Sequence, residues 1–348
     1  MSAVTYEALP MRVVFGPGSL GRLGEETERL GLRRLLVLST PGQRVLAERV
    51  AAVLGDHAVG IHDRARMHVP VHTVDGAAKA AAELVADGCV AAGGGSTVGL
   101  AKALALRAGL PYVALPTTYA GSEMTPVWGL TENARKRTGR DRAVLPRAVV
   151  YDPDLTSTVP ASVAAASGLN AIAHAVEALY APDGSPVVEA MAERGIRELA
   201  AALPTAPANE LARASALEGA WLCGACLGAT TMGLHHKLCH VLGGMLDLPH
   251  AKTHAVVLPY VAAFNLPAMP QADVAIRRAL DVPDAADGLH DLAIRLGAPH
   301  SLADLGVERS QLDMVVEEAL AAPYANPRPI HREDLVRLLD EMRRGCWR

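Results

Sequence analysis

Five of the thirteen histidines fall in one short stretch, "GLHHKLCHVLGGMLDLPHAKTH", from Gly233 to His254. Within it His236 and His240 stand four apart, and upstream "SGLNAIAHAVEALY" sets Asn170 and His174 at the same interval, so each pair shares one face of a helix. His174, His236 and His250 offer three imidazoles, a sensible set for a divalent transition metal. Asn170 completes the pattern with a neutral amide oxygen, a weaker partner for a cation than a carboxylate, and the metal reading thereby lacks its anionic ligand. A lone histidine is usually an ordinary core or surface residue. Five among small residues in so short a run favour a site. Lys237, next to His236, either brings a cation to that site, where it would suit an anionic substrate, or lies solvated on the outer face of its helix.

A second constellation suits phosphate. In "GCVAAGGGSTVGLAKALAL" an apolar strand runs into Gly93, Gly94, Gly95 and Ser96, and a helix is expected from about Thr97. Consecutive glycines let the backbone turn tightly and approach a ligand, and the open N–H groups of a helix start attract phosphate oxygens. The pattern is not the GxGxxG fingerprint, so a simple tight turn is the competing reading. The next strand ends in "PTTYAGSEMT", which places the hydroxyls of Thr117, Thr118 and Ser122 at a carboxyl end, where such sheets bind ligands. Ser39 and Thr40 in "LLVLSTPGQ" stand where dinucleotide folds often carry an acid for the adenosine ribose. A carboxylate there would repel a 2′-phosphate; its absence leaves both NADH and NADPH open as cofactors.

These residues need a scaffold, and the sequence outlines one. Short runs rich in Val, Ile and Leu recur at 11–16, 34–40, 58–63, 88–94, 111–118 and 147–153, with helical periodicity between several of them, as βαβ units and a mostly parallel sheet require. Beyond about residue 155 the strand signals stop and Ala- and Leu-rich helical segments follow, broken at "APDGSP", "LPTAPAN", "LDLPH", "LPAMP" and "AAPYANPRP". The expected organisation is an α/β dinucleotide-binding domain over 1–157, Rossmann-like, and an all-α substrate and catalytic domain over 158–348.

With 348 residues, half of them hydrophobic, the chain can bury a large core. Its formal charge of -4, with lysines and arginines scattered, argues against nucleic acid and anionic membrane as partners. No apolar window reaches spanning length and no signal peptide opens the chain, so a cytoplasmic protein is expected. Five cysteines make no disulfide framework, and the CxxC pair Cys223 and Cys226 lies in a small-residue helical run, where a buried structural role is expected over redox or metal chemistry.

The motifs "RVVFGPGSL", "GGGSTVGLAKA", "LPTTYAGSEMTPVWGLTENARKRTGRD", "VLPRAVVYDPDLT", "SGLNAIAHAVEALYAPDGSPV" and "MGLHHKLCHVLGGMLDLPHAKTHAVVLP" resemble the iron-containing alcohol dehydrogenase superfamily, and within it the maleylacetate reductase branch. The resemblance covers about residues 10 to 265 and implies the dehydroquinate synthase-like architecture. In metal-dependent members an aspartate opens the "NAIAH" segment and binds iron or zinc with three histidines. Carried over, the ligand positions are Asn170, His174, His236 and His250. The asparagine, and a "TTYAGSE" loop one residue shorter than the usual "TTAGTGSE", are departures that the branch shares, and it is regarded as working without a metal.

The resemblance therefore implies reduction of maleylacetate, a dicarboxylate, to 3-oxoadipate by NADH or NADPH in bacterial breakdown of aromatic compounds, by a homodimer with no metal. His236, Lys237, His240, His174, Asn170 and His250 would form the catalytic set, with Lys136 or Arg137 reaching the cofactor ribose or a substrate carboxylate. A metal-dependent alcohol or aldehyde dehydrogenase of the same superfamily is the alternative enzyme, and a catalytically silent nucleotide-binding protein the alternative class.

Overall fold

A computed structural model describes residues 6–9, 11–132 and 135–347; the side chains of Arg135 and Lys136 lie outside the described set. The chain divides into two compact units, Leu9–Val159 and Met1–Ala8 with Pro160–Arg348.

The first unit is built on six parallel strands: β1 (Arg12–Phe15), β2 (Leu35–Leu38), β3 (Ala58–His62), β4 (Gly88–Gly93), β5 (Tyr112–Pro116) and β8 (Ala148–Tyr151), in the order β1-β8-β5-β4-β2-β3. β2, β4, β5 and β8 are buried along their whole lengths, whereas the edge strands β1 and β3 are partly open. This is why the inner strands read as continuous apolar runs and not as alternating ones. Helices α1 (Leu23–Arg29), α2 (Arg44–Leu54), α3 (Val71–Glu83) and α4 (Gly95–Ala108) make the crossovers. From β2 the chain builds outward to β3, then returns to place β4 on the other side of β2 and continues to β5. The switch point of the sheet thus lies between the carboxyl ends of β2 and β4, which carry Ser39–Thr40 and Gly93–Gly94.

One segment departs from expectation. "NARKRTGRD", outside the strand runs expected from the sequence, contributes a strand: β6 (Val127–Glu132) pairs antiparallel with β7 (Arg135–Arg140), from Val127 opposite Arg140 to Glu132 opposite Arg135. Charged residues fill β7 and neither strand is buried on a face, so no apolar alternation announces the hairpin.

The second unit is helical: α5 (Ala161–Leu179), α6 (Pro186–Ala202), α7 (Glu210–Ala229), α8 (Leu234–Leu246), α9 (His250–Asn265), α10 (Pro270–Leu280), α11 (Ala285–Arg295), α12 (Leu312–Leu320) and α13 (Arg332–Arg344). From Ala164 to Ala178 every residue of α5 is buried, and small side chains let other helices close around it. α6 and α7 approach so closely that a Cβ on Gly195 would lie 2.7 Å from Cys223 Sγ and one on Gly219 2.9 Å from Gly195 O. Cys223 and Cys226 are core residues of this contact, and burial pushes the Cys226 thiol up to about 12. Among the described residues no disulfide forms, and no helix is long and apolar enough to cross a membrane.

Candidate active site

At the end of β4 the glycines leave no room for side chains. A Cβ on Gly93 would lie 2.4 Å from Thr97 Oγ1 and 2.7 Å from Gln43 Oε1; one on Gly94 would lie 2.9 Å from Thr118 Cγ2. α4 begins at Gly95, followed at once by Ser96, one residue or two before the helix start expected at Thr97. A bare backbone leading into the first N–H groups of a fourteen-residue helix is a cradle that fits a pyrophosphate.

The neighbouring strand ends are tied to this turn. Gln43 Nε2 donates to Thr117 Oγ1 at 2.8 Å, and Thr117 N donates to Gly93 O at 3.2 Å. Thr40 opens the turn that carries Gln43. Ser39 is fully buried, its backbone bonded to His62 and Ala65, so Thr40 and not Ser39 is the residue with exposure at the end of β2. Ser122 Oγ is buried with no hydrogen-bond partner, 4.0 Å from where a Gly95 Cβ would be.

Lys102, two turns into α4 and 3% exposed, fixes the hydroxyl loop from beneath. Its ammonium donates to Ser122 O (2.7 Å), Thr125 O (2.8 Å), Thr125 Oγ1 (3.0 Å) and Val127 O (2.7 Å). Burial lowers its pKa to about 7, with Glu123 acting in the opposite direction. No pattern in the sequence distinguishes this lysine from a surface one. The Lys136 side chain lies outside the described residues; Arg137 stands exposed on β7 opposite Leu130.

In the helical unit the structure gathers six of the thirteen histidines. His174 and His236 stack with ring centroids 5.2 Å apart, His240 lies 6.2 Å from His236, and His254 stands between the others, 5.1 Å from His236, 6.3 Å from His174 and 4.4 Å from His250. Asn170, one turn before His174 on α5, is 2% exposed, and His174 and His236 are buried with it. Lys237 is half-buried beside them.

Two partners in this cluster escaped the sequence reading. Glu177, 1% exposed, accepts from His236 Nδ1 at 2.5 Å and from the backbone N–H of His235 at 2.9 Å. The carboxylate fixes the ring and the first turn of α8 together, and leaves His236 Nε2 buried with no partner. The signal was present: "HAVE" puts Glu177 one turn after His174. His254 is the second. It bonds His235, Nδ1 to Nε2, at 2.8 Å, and burial followed by the neighbouring imidazoles holds both rings well below the usual histidine range.

The donor set decides how well a metal fits. Atoms of His235, Cys239 and His254 lie within 4.8 Å of one another, yet the first and last already share a hydrogen bond. At positions 170, 174, 236 and 250 stand an amide and three imidazoles, and among the described residues Glu177 is a carboxylate in contact with them, bound to His236 Nδ1. An amide and three imidazoles with no carboxylate among them are a weak donor set for a tightly held divalent cation.

Residues 10–153 match the family described as iron-containing alcohol dehydrogenase, and residues 164–342 match its C-terminal part, Fe-containing alcohol dehydrogenase family, C-terminal. A protein of Sphingobium indicum named maleylacetate reductase is 55% identical over 343 residues, 98% of this chain and 97% of its own. Another of that name from Burkholderia cepacia is 54% identical over 98% of this chain and 97% of its own. The crystal structure of maleylacetate reductase from a Rhizobium species superposes with a TM-score of 0.94 at 49% identity, covering 99% of both chains.

Proposed function

The chain belongs to the iron-containing alcohol dehydrogenase family, and from that premise we propose that it reduces the C=C bond of maleylacetate to give 3-oxoadipate, with NADH or NADPH and without a metal. The observation that carries this reading is the neutral donor set of Asn170, His174 and His236, buried together in a chain half-identical to proteins of that name.

When bound, the nicotinamide supplies the hydride. The hydride adds to the alkene carbon β to the ketone, the electron pair of the C=C moves toward the ketone oxygen, and a proton on the α carbon completes the product. The oxygen gains negative charge before that proton arrives, so the residues must supply donors there. With Nδ1–H given to Glu177, His236 has Nε2 as the atom that meets a ligand. His174, stacked on His236, holds that ring in place, with Asn170 buried one turn before it on α5. Lys237 draws a substrate carboxylate, and His240 orients the substrate or passes the proton. Gly93, Gly94, Gly95 and Ser96 receive the cofactor pyrophosphate, flanked by Thr117, Thr118 and Ser122, with Thr40 at the adenosine end.

The homodimer is part of the proposal, tested by sedimentation of the purified chain. The reaction is tested by following NADPH oxidation with maleylacetate and identifying 3-oxoadipate as the product. Turnover of simple alcohols in place of maleylacetate would replace this reading with that of an alcohol dehydrogenase.

A further inference from the structure

The segment between α12 and α13, "AAPYANPRPIH", lies beyond the motifs that carry the family resemblance, yet it is built onto the start of the helix that bears His236 and Lys237. Asn326 pairs reciprocally with the fully buried Asn265, at 2.9 and 2.8 Å, and donates to Arg328 O at 2.7 Å. The Arg328 guanidinium stands 4.0 Å above the Phe264 ring. A Cβ on Gly233, the residue before α8, would meet Ala325 O at 3.0 Å and Glu177 Oε1 at 3.2 Å. So fastened, the segment sets the Tyr324 ring 6.0 Å from Lys237 Nζ, measured to the ring centroid.

Two donors stand there unmatched. The Tyr324 hydroxyl is buried with no hydrogen-bond partner. Lys237 is half-buried and, among the described residues, no carboxylate pairs with it. The nearby acid, Glu177, is committed to His236 and His235. A buried hydroxyl without an acceptor destabilises a fold, and an ammonium beside it without a counter-ion adds nothing to offset that. One anion seated at the ammonium would satisfy both.

We propose that Tyr324 and Lys237 form a carboxylate subsite, in which the hydroxyl and the ammonium hold one carboxylate of a dicarboxylate substrate. The subsite rests on the reading of the chain as a reductase of such a substrate and adds Tyr324 to the residues that touch it. Burial, and then the charge of Glu177, push the phenol up to about 12, which keeps it a donor.

The test uses the whole protein with NADP⁺ and titrates maleate as the dicarboxylate probe. Hydrogen bonds to charged groups are worth enough that Tyr324→Phe and Lys237→Met should each weaken maleate about 10- to 100-fold. Because the two share one carboxylate, the double variant should lose less than the product of the single losses. A hydroxyl that served only the fold would behave otherwise: here Tyr324→Phe should leave the melting temperature unchanged or raise it, with NADPH affinity unaltered. Wild-type affinity for maleate in Tyr324→Phe, or no binding of maleate to the unaltered protein, overturns the subsite. Reduction of maleylacetate by both variants with unchanged KM would sink the subsite and spare the reductase reading. Maleate binding that responds as expected, in a protein that never reduces maleylacetate, would do the reverse.

Discussion

The glycine turn after β4 and the histidine cluster on α5, α8 and α9 are the two candidate ligand sites, and they are made of different material. The turn works through its backbone: no side chain is permitted at Gly93 or Gly94, and the groups it offers are the N–H groups that every helix start has. The cluster works through side chains, whose chemistry one substitution can reassign. An amide at position 170 in place of a carboxylate changes what three imidazoles can hold, while the fold around them stays that of the family.

The largest effect should come from His236→Ala, which removes a positioned donor to a developing oxyanion and should lower turnover about 100- to 1000-fold while NADPH affinity stays unchanged. Equal kinetics in this variant would mean that the cluster is a relic. Gly93→Val should do the opposite. Its side chain would collide with Thr97 and Gln43 and fill the cradle, and a loss of about 1.4 to 2.8 kcal/mol of binding corresponds to about 10- to 100-fold in NAD(P)H affinity, with intrinsic turnover at saturating cofactor largely kept. A loss shared equally by cofactor and maleylacetate would count against a pure backbone cradle.

Glu177→Gln tests whether the carboxylate acts through His236. It keeps the shape and should reduce kcat by about 10-fold or somewhat more, the usual scale for a group that orients another, with little change in KM for NADPH. Full activity in the glutamine variant would reduce Glu177 to a helix cap. The smallest effect is expected from Thr40→Asp, which should penalise NADPH several-fold against NADH by repelling a 2′-phosphate; equal treatment of the two cofactors would show that this turn does not face the ribose.

Most of the scaffold could be read from the chain because its signals are local. Buried parallel strands are apolar along their whole length, as β2, β4, β5 and β8 are, and the helical half is punctuated by proline-rich breaks that coincide with helix ends such as those of α5 and α9. The β6–β7 hairpin was hidden because β7 is rich in charged residues and β6 is half-buried with no alternation between faces. In the site, the glycines and histidines announce themselves by type and spacing. Glu177 does so only by its spacing from His174, since its partners lie on α8; Lys102 and Tyr324 do not, because each derives its role from partners far along the chain, Lys102 from the backbone carbonyls after β5 and Tyr324 from a strap fixed by Asn265 and Phe264.

The central claim is that this family scaffold performs a reduction with its histidines and no metal. It is tested most directly by assaying protein stripped of metal by chelation, with elemental analysis of the same sample, against maleylacetate and each nicotinamide cofactor. The account predicts undiminished reduction of maleylacetate with no stoichiometric iron or zinc; activity that disappears with one tightly held metal per chain and returns when that metal is restored would contradict it.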